Sequence, residues 1–349
     1  MKRFLITMCL IVTMFSFCMA TYAKGEMYPH PEVETDITSN EGEEKSKSGR
    51  TWKKVYGTVL RSDMEYGELR YNVYLPENYD SKKEYPFLLY LHGGSMGYLR
   101  TEGITPWSKD LYGYADNIAD NIEDCIIFAP QAPGVPKGTK ELRKAYWSGL
   151  ASLEVGNASQ DKTDSSPYLR AAEKMMADFL ETGISYGKDT YNIDASRVYV
   201  AGHSMGGIGT YTILRDCPGM FAAAIIGAGI GNPDSVDLWA TDTSVRIFHG
   251  TKDSTISYEC TEVMAEALEE YPNVEIIPLE GVGHDIKPFM YEIGPGQDSL
   301  SWMAEQVRDE NGHMPVVVAI IVVVVVAVVA AIWMIKRRKA SNKNKCEED

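Results

Sequence analysis

The stretch of residues 198–207, VYVAGHSMGG, constrains the fold more than any other part of the sequence. Its β-branched and aromatic start predicts a strand, and its glycine-rich end predicts the start of a helix. Ser204 stands between the two with Gly202 and Gly206 around it, a spacing typical of a strained turn that lifts a serine hydroxyl above the end of a sheet. Glycine is required at both flanking positions because such a turn leaves no room for a Cβ atom. Since short patterns also occur by coincidence, the rest of the chain must supply the partners that such a serine needs.

The two ends of the chain predict delivery to a membrane. Residues 1–23 place two basic residues before an apolar run and end in a small residue, which is the layout of a secretory signal peptide. Residues 316–335 form an uncharged apolar run of about 20 residues, enough for one transmembrane helix. A basic cluster follows directly, so the positive-inside rule puts the tail 336–349 in the cytoplasm. We therefore expect a single-pass cell-membrane protein with an extracellular body.

Between these ends the sequence predicts one folded domain. Residues 24–51 are rich in Glu, Ser, Lys and Gly and predict a flexible linker. Over residues 52–308, short apolar runs alternate with helical patterns, which predicts an α/β domain with a mostly parallel sheet flanked by helices. Residues 309–315 would be a short juxtamembrane linker. Strands are expected near 52–60, 68–75, 86–91, 125–130, 197–201, 221–226, 245–248 and 274–278, and helices near 111–121, 168–182, 205–215, 257–270 and 298–307.

Charge and cysteine content narrow the possible partners. The formal net charge of −15 argues against a nucleic-acid partner, which would require a basic face. Three of the six cysteines lie in the body, at Cys125, Cys217 and Cys260. An odd number at irregular spacing favours packed thiols and allows one disulfide at most. Because no C-x-x-C pair is present, a structural metal site has no support. Nothing in the sequence indicates the oligomeric state.

A serine hydroxyl is a weak nucleophile and needs a general base, which a third group must orient. In the chain order that accompanies this kind of turn, the acid and then the histidine follow the serine. His284 is the predicted base because it lies in a glycine-rich loop just after the strand near 274–278. His313 lies beside the apolar run 316–335, and His249 stands before any suitable acid.

Asp253 is the predicted acid because it follows the strand near 245–248 in a loop at the carboxyl end. Asp285 is a poor orienting group because it adjoins His284 in sequence. The remaining acids of this region, Asp234, Asp237 and Asp242, belong to a loop before that strand.

Charge that develops on a carbonyl oxygen needs preorganised backbone donors. The Met205 N–H, at the start of the helix after Ser204, is one predicted donor. The second should come from the loop after an early strand, where HGGS at 92–95 favours Gly94 with Ser95 as the alternative. The long irregular segment 131–166 carries Tyr146 and Trp147, which would either line a substrate cleft or pack on the domain.

With these residues placed, a family resemblance becomes clear. Residues 52–308 resemble the α/β-hydrolase superfamily and, within it, secreted esterases of the feruloyl-esterase and polyhydroxybutyrate-depolymerase type and related predicted peptidases. The resemblance implies a Ser–Asp–His hydrolase without metal or organic cofactor. A carboxyl-terminal membrane helix departs from the secreted enzymes of this group. The motifs that carry the resemblance are LHGG at 91–94, GHSMGG at 202–207, HGTKD at 249–253 and GHD at 283–285.

These features predict a membrane-anchored extracellular serine hydrolase that cleaves small or polymer-linked carboxylic esters, of feruloyl or acetyl type. The preference for esters over amides comes from the resemblance, so a serine peptidase of the same fold is the first alternative. A non-catalytic ectodomain that binds a partner is the second, and the presence of candidates for every catalytic role argues against it. The acyl and alcohol groups are left open, since specificity depends on the cleft.

Overall fold

A computed structural model describes residues 33–65, 67–97, 109–133, 147, 166–182, 191–292 and 298–308. The chain divides into two compact units, Met1–Arg308 and Asp309–Asp349, and all described residues belong to the first. The predicted signal peptide, juxtamembrane linker, transmembrane helix and tail lie outside the described residues. Within the described ranges, no helix is both long enough and apolar enough to cross a membrane.

The described strands form one sheet of ten. In chain order they are β1 Thr35–Ile37, β2 Asn40–Lys45, β3 Thr51–Arg61, β4 Leu69–Leu75, β5 Tyr85–Leu91, β6 Ile126–Gln131, β7 Ile193–His203, β8 Ala223–Gly227, β9 Ser244–Gly250 and β10 Val274–Leu279. Their order across the sheet is β1-β3-β4-β6-β5-β7-β8-β9-β10, with β2 also paired to β3. In this order across the sheet, the six strands β6, β5, β7, β8, β9 and β10 run parallel to one another. The strands β1 to β4 pair antiparallel, and β4 also pairs antiparallel with β6. This confirms the predicted mostly parallel sheet.

Helices cover both faces of the sheet, so its central strands are apolar throughout. All seven residues of β5 are buried. Phe87 and Leu89 belong to one hydrophobic cluster and Leu88 and Tyr90 to another, because successive side chains of a strand point to opposite faces. The described helices are α1 Lys109–Asn121, α2 Pro167–Thr182, α3 Met205–Asp216, α4 Glu259–Leu268, α5 Lys287–Tyr291 and α6 Ser299–Glu305. The first cluster includes α2, α3 and α4, and the second includes α1, α5 and α6.

The strand order creates a crevice beside β5 and β7. These two neighbours pair in parallel with Leu91 opposite Gly202. After β5 the chain goes to β6 on one side, and after β7 it goes to β8 on the other. Loops that leave adjacent strands in opposite directions open a cleft at the carboxyl ends of the strands, where α/β proteins bind their ligands. Gly93 and Ser204 follow these two strand ends.

The prediction of a flexible linker over 24–51 is wrong for its described part. β1 and β2 both form antiparallel pairs with β3, so the sheet begins at Thr35. The sequence of β2, NEGEEK, has no apolar alternation to reveal it. Pairing with β3 compensates, because backbone hydrogen bonds need no particular side chain. Lys54 Nζ lies 2.9 Å from Glu44 Oε2, which adds an ion pair to this edge.

Other differences are small. The strand predicted at 197–201 is longer at both ends, and the helices predicted at 257–270 and 298–307 are shorter. The sequence did not indicate α5 or the 3₁₀ helix Pro233–Leu238, which are too short for an apolar repeat to be visible. Cys125, Cys217 and Cys260 are buried free thiols, as favoured from their number and spacing.

Candidate active site

Ser204 occupies the strained turn that its neighbours predict. It lies between the end of β7 and the first residue of α3, with φ 59° and ψ −120°. A positive φ is costly for a residue with a side chain and persists only where surrounding contacts hold it. Here the Ser204 N–H donates to Gly227 O at 2.8 Å, and the Ile208 N–H donates to Ser204 O at 3.0 Å.

The glycines around Ser204 are required by close backbone contacts. A Cβ atom on Gly202 would lie 2.3 Å from Gly206 O, and one on Gly206 would lie 1.9 Å from Leu91 O. Both distances are far below van der Waals contact. The need for small residues at these two positions, expected from the pattern, therefore has a direct steric cause.

The structure brings the three predicted reactive side chains together. His284 Nε2 lies 2.9 Å from Ser204 Oγ, and His284 Nδ1 lies 2.7 Å from Asp253 Oδ2. Because a carboxylate only accepts, Nδ1 carries the proton. In the neutral ring, Nε2 then has a lone pair directed at the serine hydroxyl. This arrangement can withdraw a proton from Ser204.

Asp253 is held as an oriented anion. Its side chain is fully buried, and its Oδ1 accepts hydrogen bonds from the Thr255 N–H at 2.7 Å and the Ile256 N–H at 3.0 Å. Burial acts to raise the pKa of Asp253, but the hydrogen bonds from His284 and from these two backbone groups lower it below the ordinary value. The carboxylate is thus ionised at neutral pH and oriented at both oxygens.

The loops that carry the acid and the base are joined by their backbones. The Lys252 N–H donates to Val282 O at 2.9 Å. A Cβ atom on Gly250 would lie 2.3 Å from Gly283 O, so the end of β9 runs directly against the loop of the base. This contact fixes the His284 loop on its β9 side.

Two buried histidines that sequence analysis gave no role lie against this site. His249 Nε2 is 3.0 Å from Ile256 O and 3.4 Å from Asp253 Oδ2, while Thr261 Oγ1 is 2.6 Å from its Nδ1. His203, directly before Ser204, contacts His284. The only sequence signal for His203 and His249 is a polar residue at the end of an apolar run. That signal does not identify the residues that each histidine contacts.

The loop after β5 lies against the serine. A Cβ atom on Gly93 would be 3.8 Å from Ser204 Cβ, and Gly94 begins a 3₁₀ turn. His92 anchors the loop, since its Nδ1 lies 2.8 Å from Gly93 O and its Nε2 accepts from the Ala132 N–H at 3.0 Å. Burial lowers the pKa of His92 to about 4, although the bond to Gly93 acts the other way, so the ring is neutral.

The predicted oxyanion donors are both beside Ser204. Met205 is the first residue of α3, and the N–H groups of a first helical turn have no partner within the helix. Gly94 and Ser95 follow Gly93 in a 3₁₀ turn, so both stay candidates for the second donor.

Trp147 packs in the core, so of its two predicted alternatives the structure supports packing on the domain and not lining of the cleft. It is fully buried, its Nε1–H donates to His92 O at 3.0 Å, and its ring lies edge-on to His92 with centroids 5.0 Å apart. A Cβ atom on Gly209 would lie 2.8 Å from Trp147 Cβ, so the indole fills the space above α3. Through these two contacts with His92, Trp147 stabilises the loop that carries Gly93. Tyr146 lies outside the described residues.

A small apolar cluster adjoins the reactive groups. Its members are Ile208, Ile230, Ile256 and Cys260, each buried with a few per cent of its surface exposed. Ile208 lies one helical turn after Ser204, and Ile256 donates its N–H to Asp253. Two members of this apolar cluster therefore hydrogen-bond directly to residues of the reactive series, Ile208 to Ser204 and Ile256 to Asp253.

Comparisons with known proteins show the family and the fold of the chain. Residues 63–276, more than half of the chain, match the model of the Esterase family, described as "Putative esterase". A solved thermostable esterase superposes with a TM-score of 0.53 at 21% identity, covering 74% of this chain and 73% of the other. The fold is thus that of the α/β hydrolases, as the sequence resemblance implied.

A curated relative matches a smaller part of the chain. Dipeptidyl-peptidase 5 of Porphyromonas gingivalis is 28% identical over 160 residues, which cover 46% of this chain. The matched part spans only 19% of that relative's length.

Proposed function

Because the chain belongs to the Esterase family, whose members are hydrolases acting on esters, we propose that it cleaves carboxylic esters as a serine hydrolase through Ser204, His284 and Asp253. The observation that carries the proposal is the continuous hydrogen-bonded series from Ser204 Oγ through both imidazole nitrogens to Asp253 Oδ2. A residue used only for packing would not need the strained backbone of Ser204.

In the acylation half, Ser204 Oγ attacks the ester carbonyl carbon while its proton moves to His284 Nε2. The carbonyl π electrons move to oxygen and form a tetrahedral oxyanion. When that intermediate collapses, the bond to the alcohol oxygen breaks, and His284 gives its proton to the departing alkoxide. The products of this half are an alcohol and an acyl ester on Ser204.

Deacylation repeats the same steps with water. His284 Nε2 takes a proton from the water that attacks the acyl carbon, then returns a proton to Ser204 Oγ as the acid leaves. Asp253 holds the imidazole in the tautomer with Nδ1 protonated and stabilises the cation that forms. The Met205 and Gly94 N–H groups are the proposed oxyanion donors, each worth about 3 kcal/mol in a transition state.

The substrate is proposed to be an ester with a small apolar or aryl acyl group, of acetyl or feruloyl type. The apolar cluster beside Ser204 favours such a group over a charged one. No metal or organic cofactor is needed for these steps.

Residues 1–23 and 316–335 support a proposed place at the cell membrane, with the domain outside and the tail inside. Resistance of the full-length chain to carbonate extraction tests this placement.

A peptidase is the second candidate, favoured by the likeness to dipeptidyl-peptidase 5. Ester and amide hydrolysis use the same reactive groups, so geometry alone does not separate them. A catalytically silent binding domain is the third candidate.

Steady-state assays of the full-length protein with acetyl, butyryl and feruloyl esters beside dipeptidyl amides test the proposal. We expect turnover of esters that is abolished in Ser204→Ala. Turnover of amides alone would favour the peptidase. Absence of any turnover, or equal turnover by Ser204→Ala, would remove the enzyme assignment of this site.

A further inference from the structure

His203 occupies the first of the two variable positions in the G-x-S-x-G pattern that Gly202, Ser204 and Gly206 define. It is the last residue of β7 and only 5% exposed. Its ring lies beside Gly227 of the neighbouring strand, where an added Cβ would clash with the Met290 thioether and come within 3.3 Å of His203 Cδ2. The absence of a side chain at Gly227 therefore leaves room for Met290 and for this imidazole.

Two contacts join His203 to the proposed base. His203 Nε2 lies 2.7 Å from the backbone carbonyl oxygen of His284, and because a carbonyl only accepts, Nε2 carries the proton. The two imidazole rings also touch, with centroids 4.8 Å apart and planes inclined by 49°. One side chain thus contacts both the backbone and the ring of His284.

These contacts complete the support of the His284 loop. On the β9 side, the loop is held by the hydrogen bond from Lys252 to Val282. On the β7 side, His203 links it to the strand that carries Ser204. Because His203 and Ser204 are adjacent in sequence, a movement of the nucleophile turn would be transmitted to the base through one short hydrogen bond.

The surroundings keep His203 neutral. Burial lowers its pKa to about 4, the charge of Lys287, and that of His284 when it is protonated, act in the same direction, and the hydrogen bond to His284 and the charge of Asp285 act against them. Neutrality matters because His284 becomes cationic while it holds the serine proton. A second imidazolium at this distance would oppose that charge.

We propose that His203 is a positioning residue for His284, holding the carbonyl and the ring of the base so that its Nε2 stays within reach of Ser204 Oγ. This role rests on the proposed function of His284. His203 does not touch the reacting atoms. It acts through the geometry of the base, so its loss lowers the rate of the chemical step and leaves substrate binding unchanged.

Three substitutions in the full-length protein separate this role from simple packing. His203→Phe keeps a planar ring without a donor. In His203→Gln the amide nitrogen reaches the place of Nε2, whereas in His203→Asn the amide is too short to do so. Thr243→Val is a matched control, because it removes another buried hydrogen bond from a side chain to a backbone carbonyl, that of Thr243 to Phe221, which involves neither Ser204 nor His284.

With an activated acetyl ester, we expect kcat of His203→Phe and His203→Asn to fall about 10- to 100-fold with KM within about twofold, the size typical of a displaced catalytic group. His203→Gln should recover most of the loss, and Thr243→Val should keep the wild-type kcat. A second readout is the deshielded NMR resonance of the proton between His284 Nδ1 and Asp253 Oδ2. It should broaden in the Phe and Asn variants and return with Gln.

The proposal is overturned if folded His203→Phe keeps a kcat within twofold of wild type, or if Gln and Asn variants behave alike in both readouts. If His203→Phe does not fold, the Gln and Asn pair decides. An inactive wild type would contradict the proposed function instead, and the NMR resonance would still report whether His203 holds His284.

Discussion

At the scale of single residues, the strain at Ser204 is the feature most closely tied to chemistry. A non-glycine residue in such a conformation costs of order 1–3 kcal/mol, so the contacts around it must compensate. They come from the bond to Gly227 and from the close approach of Gly202, Gly206 and Leu91. The strained conformation costs stability, but it places the Ser204 hydroxyl beyond the end of the sheet, within hydrogen-bond distance of His284.

Substitution of Gly206 should therefore destabilise the whole domain. In Gly206→Ala the new methyl would lie 1.9 Å from Leu91 O, and neither backbone can move freely. We expect the free energy of unfolding to fall by at least about 3 kcal/mol, measured by urea denaturation. Gly113→Ala is the control, because Gly113 is in α1 with open space around it, and it should be neutral or stabilising by up to about 1 kcal/mol. Equal effects of the two substitutions would contradict the steric account.

Asp253→Asn tests the orientation of the base. The amide can still accept the two backbone hydrogen bonds, but it cannot hold the same charge beside His284 Nδ1. We expect kcat for an acetyl ester to fall about 10⁴-fold with an unchanged circular dichroism spectrum. Asp285→Asn, which alters an exposed acid next to the base, should cost less than about threefold. A small effect at Asp253 would mean that another group orients His284.

At the scale of elements, the sequence predicted the helices, strands and turns that neighbouring residues determine. The turn at Ser204 and the carboxyl-end positions of Asp253 and His284 follow from glycines and apolar runs within about ten residues. β1 and β2 were missed because their stability comes from pairing with β3. The role proposed for His203 was invisible for the same reason, since its partner His284 is 81 residues away in sequence.

The junction of α3 with the neighbouring loops should control acyl preference. Ile208 belongs to the apolar cluster and lies one turn of α3 after Ser204, so we expect Ile208→Ala to enlarge the space near the nucleophile. We expect the ratio of kcat/KM for butyryl over acetyl ester to rise by about threefold to tenfold, as one or two methylene groups allow. An unchanged ratio in a folded variant would show that the acyl group binds elsewhere.

At the scale of the whole molecule, three buried neutral histidines make stability depend on pH. Burial lowers the pKa of His249, and it lowers the pKa of His92 and of His203 to about 4, below the unfolded value of 6.5. Between these values the unfolded chain binds more protons, so stability is full above pH 6.5 and falls as the pH drops towards 4. Asp253, with a pKa lowered in the fold, adds a loss only below this window.

Urea unfolding of the full-length protein at pH 7.5 and pH 4.5, followed by tryptophan fluorescence, measures this effect. Each histidine contributes at most about 3 kcal/mol to the decrease. His203→Gln should have a smaller decrease than wild type, because one of the three groups is gone. A free energy of unfolding that stays constant over this range would contradict neutral burial of these rings.

The central claim is that Ser204 is a nucleophile activated by His284. Incubation of the full-length protein with a fluorophosphonate, followed by intact mass and peptide mapping, tests it most directly, because the reagent needs an activated serine and no knowledge of the substrate. We predict a single adduct on Ser204, none in Ser204→Ala, and a much slower reaction in His284→Ala. No adduct on the wild type, or equal labelling of Ser204→Ala, would contradict the claim.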